Sequence, residues 1–472
     1  MSNAITPHAP RISTQRTVEL FEADFRHGPV FVDLEGTKLV LRDNIYVNFP
    51  DPKEKKAPFH LGWFGAIIVR ASNVVVDLHG HTLAMHPAYR NKQRFFALVE
   101  LSDSPLPKGK LGFDSEPSQV NDVIIRNGKL GETSHFGVHG VKCGSRIVIE
   151  DIEFSGYETG AISLTACRDL TVRRCVIGRP IRPKTSSDQA MLRDLADKAS
   201  SQGLVSVSRR LRALLASPKF ETPQFADALV RAIVLQPRFN VATPKMTPKE
   251  HRMHRISLYD IQCDNIHAEP RDVVGIEGLD GKAVTDSLGN LIRLQDAQSG
   301  SLISKSQALL SPEMPRVIRN ALISGATSTF KPVYGMDLRG HELTHKASLY
   351  IRVDGCDKLS IRDVRCGIVK SVGPHSAAVG VMINDCTDVI IKHVSVGGVS
   401  VSETDSVLSD VRPQSGIYMR DVNNVQVQGY VYDSEQACSC CLRDVDRATL
   451  SQCSMRAPMV AHRTRNLSVD VD

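Results

Sequence analysis

The 472-residue chain has little with which to stack on a flat ligand: aromatic residues make up 5% of it, with one Trp and nine Tyr. Platforms for sugar rings are scarce, which argues against processive handling of a polysaccharide. No apolar run approaches the roughly 20 residues that cross a bilayer, so no membrane span is expected. The segment from Met1 to Arg16 lacks the hydrophobic stretch of a signal peptide, and Ser2-Asn3-Ala4 reads as part of an expression scar. Charge of one sign is not concentrated anywhere, because the net +6 is spread along the chain. That pattern fits a solvated surface of mixed sign or attraction to an acidic glycan; nucleic acid is not an expected partner. Eleven cysteines, an odd number without paired spacing, point to free thiols in a reducing setting, either cytoplasm or virion.

What the sequence does have is a repeat. Gly137-Val138-His139-Gly140-Val141-Lys142-Cys143 leads into Ile147, Ile149, Ile152 and Phe154. Gly160-Ala161-Ile162-Ser163-Leu164-Thr165-Ala166-Cys167 then leads into Leu170, Val172, Cys175 and Ile177. Each unit reads as three short strands with one buried side, broken at Glu150-Asp151 and Arg173-Arg174 by corners too short for a helix or hairpin loop. Strands that turn the same corners every twenty-odd residues stack coil upon coil, with equivalent residues about 4.8 Å apart. The expected fold is an all-β solenoid, a right-handed parallel β-helix.

Taken in order, residues 1–60 read as an N-terminal arm and capping strands, and 61–180 as the N-terminal coils. In 181–250, Met191, Leu192, Leu195, Leu211, Leu214, Leu215, Phe225, Leu229, Val230 and Ile233 fall at helical spacing. A helical insertion is expected there, with an apolar face for the rod's flank or a partner subunit. One coil returns at 251–263, a second, mixed insertion spans 264–345, and coils fill 346–472. Cys143, Cys167, Cys356 and Cys386 are assigned to one interior ladder and Cys175, Cys263, Cys366 and Cys453 to another. Cys438-Ser439-Cys440-Cys441 is read as core packing, because alternation sends Cys440 and Cys441 to opposite faces; no metal or other cofactor is expected.

The run Asn73-Val74-Val75-Val76-Asp77-Leu78-His79-Gly80-His81-Thr82-Leu83 resembles the early coils of pectin-lyase-like parallel β-helix proteins, and Asn121 to Leu130 resembles the coil that follows. Gln93 to Glu100 together with Ser134 to Gly140 resembles, more narrowly, uncharacterised β-helix proteins of large DNA viruses and protists. The resemblance implies the fold and no single activity, since that fold hosts lyases, hydrolases, epimerases and adhesins. The polygalacturonase motifs Asn-Thr-Asp, Asp-Asp, Gly-His-Gly and Arg-Ile-Lys are absent, as are the Asp-Pro-His-Glu of alginate epimerases and the clustered aspartates of pectate-lyase calcium sites.

Two groups of titratable residues remain. Glu132, His135, His139 and Glu158 lie on successive coils at or before the first strand, and a histidine beside a carboxylate serves as acid or base near neutral pH. Equally, His135 and His139 read as hydrogen-bonded turn residues. Neighbouring Val138 points inward, so His139 is expected outward and exposed. The second group stacks His345 and His375, each eleven residues before a ladder cysteine. The outward Arg352, Asp354, Asn384, Asp385, Arg420 and Asp421 continue it as a polar strip, which is either a solvated face or a groove that holds sugar carboxylates and hydroxyls. The functional expectation is a carbohydrate-active protein, a lyase or hydrolase of an acidic polysaccharide. The alternative is a non-catalytic structural or attachment protein, a virion or surface component that forms a homo-oligomer through the helical insertion.

Overall fold

A computed structural model describes residues 5–50, 63–92, 96–104, 117–181, 230–237, 252–268, 347–372, 377–402 and 414–471, with six further residues between 197 and 212. Among them the chain forms a right-handed parallel β-helix of two long sheets, one of 16 strands and one of 11, in which every strand pair is parallel. Each coil contributes a strand to the 11-stranded sheet, for example Phe136–Gly140 or Gly160–Thr165, and then a longer strand to the 16-stranded sheet, for example Ser145–Phe154 or Arg168–Ile177.

The corners explain why so many polar residues recur on the repeat. Val74, Val123, Ile147, Leu170, Ile256, Leu359, Val389, Val425, Ala448 and Leu467 form one row in register. The residue before each has a left-handed backbone: Asn73, Asp122, Arg146, Asp169, Arg255, Lys358, Asp388, Asn424, Arg447 and Asn466, with φ between 52° and 66°. A second such row runs Asn127, Asp151, Arg174, Asp260, Asp363, His393, Gly429, Gln452. Asp and Asn tolerate this conformation, whereas Arg and Lys pay about 1–2 kcal/mol for it. Most arginines there offset the cost against a carboxylate on the preceding coil: Arg146 on Asp122 at 2.6 Å, Arg255 on Asp169 at 2.5 Å and Arg174 on Asp151 at 2.7 Å.

The interior is apolar along its length, from Leu39 and Val76 through Ile149, Val172, Leu258 and Ile361 to Val427 and Leu450. Fully burying each such side chain stabilises the rod by about 1.5–3 kcal/mol. All eleven cysteines are free. Cys167 stacks through Met253 onto Cys356, and Cys386 follows on the next coil. The second ladder needs correcting, because the third run has two inward positions. Cys263 and Cys366 pair with each other in line with Ile177 and Val396, whereas Cys175 pairs with Ile261 and stands in line with Val364 and Val394. Tyr432 pairs with Met455, which puts Cys453 two positions earlier, in the row of Cys175.

The helical reading also changes at its C-terminal end. Arg231–Gln236 is a strand of the 11-stranded sheet, paired with Gly160–Thr165 on one side and Ala347–Asp354 on the other. Asp197, Ser200, Val205, Ser208, Arg209 and Arg212 are helical, too few to establish a helical insertion, and the remaining positions of that reading lie outside the described residues. Ile266–Ala268 continues the coil of Met253–Cys263 by pairing with Val369; residues 269–346 of the second insertion are outside the described residues.

Candidate functional site

On the 11-stranded sheet the side chains do not simply alternate. Leu98, Val99 and Leu101 all belong to the core, as do Ala232, Ile233 and Leu235, and Tyr350, Ile351 and Val353. The outward positions are therefore three apart, Ala97 and Glu100 in one coil, Phe136 and His139 in the next, Gly160 and Ser163 in the third. Register stacks them into two outer rows: Ala97, Phe136 and Gly160, then Glu100, His139 and Ser163.

The second row brings a carboxylate onto a histidine. His139 Nδ1 lies 2.7 Å from Glu100 Oε2, and Glu100 is fully buried while the imidazole keeps 11% of its surface exposed. The other carboxylate oxygen, Oε1, is buried without a hydrogen bond among the described residues. Burial drives the Glu100 carboxyl above its ordinary value, and the charge and hydrogen bond of His139 only partly oppose that. Nδ1 is turned to Glu100, and Nε2 makes no hydrogen bond among the described residues. Phe136 stacks on the imidazole at 5.4 Å and 7°, and His135 lies 5.8 Å from it at a tilt. Gly160 is required beside Phe136, since a Cβ there would stand 2.1 Å from the Arg231 carbonyl and 2.9 Å from the phenyl ring.

Of the first sequence-derived group, His135 and His139 do come together, but His139 is buried at 9% exposure. The exposure expected of it is not found. Its carboxylate is Glu100, not Glu132 or Glu158. Glu132 faces Arg90 at 3.5 Å, and Glu158 is buried just after Tyr157, whose backbone bridges Thr133. Glu100 carried a signal in the sequence: aligning Ala97 to Leu101 under Phe136 to Gly140 puts it opposite His139.

In the second group, Asp354, Asn384, Arg420 and Arg443 form one row in register. Asp354 accepts from Arg352 Nε at 2.8 Å, Asn384 Nδ2 at 2.8 Å and Gln236 Nε2 at 3.1 Å. Burial alone would raise the Asp354 carboxyl, but Arg352 and the two amides outweigh it and hold it below the usual range. Arg352 is 3% exposed, so Arg352 and Asp354 form an internally paired network, whereas the Asp421 side chain is 42% exposed. Arg420 Nε lies 3.4 Å from Asp421. Arg231, missed by the sequence reading, joins this side: burial, reinforced by Arg352, pushes its guanidinium down to about 9, against the pull of Asp354. His345 and His375 lie outside the described residues.

No family model matches the chain, and no curated protein matches it. Among solved structures, it is similar to a mutant tailspike of the E. coli bacteriophage HK620 (10% identity, TM-score 0.36), covering 97% of this chain and 63% of that one, so the chain spans less than two thirds of its length. It is similar also to a family 28 exopolygalacturonase of Yersinia enterocolitica, at 10% identity and TM-score 0.30, over 98% of this chain and 74% of that one. A third is the Streptococcus pneumoniae surface protein and adhesin PfbA, at 8% identity and TM-score 0.26, over 97% and 91%. Likeness at this level bears on neither activity nor partner.

Proposed function

We propose that the chain is a carbohydrate-active β-helix protein that cleaves an acidic polysaccharide, as lyase or hydrolase, along the outer face of the 11-stranded sheet. The observation that carries this reading is the Glu100–His139 pair. A buried carboxylate on Nδ1 fixes the tautomer and leaves Nε2 to take or give a proton. The preference for an acidic substrate is supported by Arg231 and Arg352, two guanidinium groups on the same outer face. In elimination, His139 takes the proton next to a uronate carboxylate; in hydrolysis, it serves the water or the leaving oxygen.

The test is to incubate the purified protein with acidic and neutral polysaccharides and follow ultraviolet absorbance of an unsaturated product and, in parallel, reducing ends. Both signals indicate elimination; reducing ends alone indicate hydrolysis. His139→Ala is expected to lower either by about 10²-fold or more. Turnover equal to wild type in that variant would remove the site.

One observation favours the other reading, a structural or attachment protein. Beyond Ser163 the outer rows are buried, with Val234, Leu349, Val379, Met382 and Tyr418 set around Arg231 and Arg352, which is a packed face rather than an open groove. In that reading the free thiols fit a cytoplasmic or virion setting, and the chain assembles through residues 181–250. Silence on every polysaccharide, together with a homo-oligomer by light scattering, would support it.

A further inference from the structure

The outer row does not end at the histidine. Glu100, His139 and Ser163 occupy the same position on three consecutive coils, with His139 in register with Glu100 on one side and with Ser163 on the other. Adjacent positions in such a row stand about 4.8 Å apart, so a serine hydroxyl flanks the imidazole on the side away from the carboxylate. Ser163 is 9% exposed, and its hydroxyl makes no hydrogen bond among the described residues. The next member of the row, Val234, has no polar side-chain group to bond it.

From this order we propose that Glu100, His139 and Ser163 form an acyl-transfer triad, with Ser163 as nucleophile and an O-acyl ester on a glycan as substrate. The three roles match those by which such triads are recognised on unrelated folds: a buried carboxylate that orients the imidazole, an imidazole that accepts the proton, and a hydroxyl at the register position next to it. Ser163 Oγ attacks the ester carbonyl while its proton passes to His139 Nε2. The tetrahedral adduct collapses, His139 returns that proton to the departing sugar oxygen, and an acyl-serine remains. Water then attacks the acyl-serine, giving its proton to His139, which passes it back to Ser163 Oγ as the carboxylic acid leaves. Ester and water become acid and alcohol, with no further reactant. Hydroxyl and imidazole close to hydrogen-bond distance when substrate enters, as acid–base pairs commonly do.

The inference rests on Glu100–His139 being a working acid–base pair, but not on cleavage of the glycosidic bond. The full chain is treated with a fluorophosphonate probe, the adduct is located by peptide mass spectrometry, and hydrolysis of p-nitrophenyl acetate and of an acetylated polysaccharide is followed. A phosphonyl adduct on Ser163 is expected, absent in Ser163→Ala and reduced about 10²-fold or more in rate in His139→Ala. Far-UV circular dichroism of each variant shows that the coils are intact, and Ser163→Cys, which restores a nucleophile, is expected to recover alkylation by iodoacetamide at that position. An adduct on Ser163 without depolymerisation keeps this inference and retires the lyase or hydrolase reading; depolymerisation with no adduct at Ser163 does the reverse. A folded wild type that takes no adduct at Ser163 overturns the triad.

Discussion

A buried carboxylate with one oxygen on a histidine and no partner for the other among the described residues is costly to keep, by about 1–3 kcal/mol for the orphaned acceptor. Relative to the unfolded chain, folding shifts the Glu100 carboxyl upward from the reference of 4.5, by burial that His139 only partly opposes. The stability this group contributes is therefore present below about pH 4.5 and is lost as pH rises through its raised folded value. Glu100→Gln keeps the shape and removes the titration. Thermal midpoints across a pH series are expected to fall for the wild type through that window and to stay level for the variant, which is the more stable of the two at alkaline pH. Parallel curves would mean that the carboxyl is not held as the geometry implies. The ladder thiols lead to a second expectation. Cys263 and Cys366 face each other inside the rod, and the hydrogen bond between them, together with burial, pushes the Cys263 thiol up. Cys263→Ser puts a stronger polar group into the same volume and is expected to cost about 1–3 kcal/mol in denaturant melts. No loss would indicate water inside the coil.

At the scale of the corner, equivalent positions should answer the same substitution with opposite sign. Lys358 has φ 66° and makes no ion pair among the described residues, whereas Arg146, at φ 60°, clasps Asp122 with two nitrogens at 2.6 and 2.7 Å. Asparagine suits this backbone. Lys358→Asn is expected to raise stability by about 0.5–1 kcal/mol by relieving the left-handed strain, and Arg146→Asn to lower it by about as much, because the pair with Asp122 goes; calorimetry of both variants reads the difference. These corners are also what made the fold legible in the sequence. A polar residue before each apolar triplet, as in Asn73-Val74-Val75-Val76 or Asp169-Leu170-Thr171-Val172, marks the turn by its chemistry. The strand Arg231–Gln236 was less legible for a physical reason. On its sheet the inward residues are Ala232, Ile233 and Leu235, and with Val230 the spacing imitates a helix face. Glu100 was missed because its partner is a neighbour in register and 39 residues away in sequence, while Glu132 and Glu158 are close in the chain and turn elsewhere.

Along the whole molecule, a solenoid holds together through contacts between neighbouring coils, so anything that spans several coils adds a different kind of restraint. The N-terminal arm is such a span. The amides of His8, Arg11 and Ser13 donate to Asp169 Oδ1 at 2.9 Å, Asp122 Oδ1 at 2.7 Å and Asn73 Oδ1 at 2.9 Å, all members of one corner row, so the arm runs along the rod axis from a later coil back to an early one. The acceptors that fasten it are the carboxylates that also hold Arg146 and Arg255. For Asp122, the Arg146 hydrogen bond lowers the carboxyl, with Arg11 adding to it; for Asp169, burial raises it but Arg255 and His8 outweigh that. Both folded values lie below the reference of 3.8. The stability they contribute is thus complete above about pH 3.8 and is lost as pH falls through the depressed values. Acid then removes the acceptor charge from arm and corner together while the arginines keep theirs, adding repulsion to a chain already at +6. Hydrogen exchange tests this without unfolding the rod. In Asp122→Asn with Asp169→Asn, the amides of His8 and Arg11 are expected to lose protection near neutral pH while those of Ile149 and Val172, inside the stacked coils, keep it. Protection of the arm that survived both substitutions would show that its path along the rod is set by something other than this row of carboxylates.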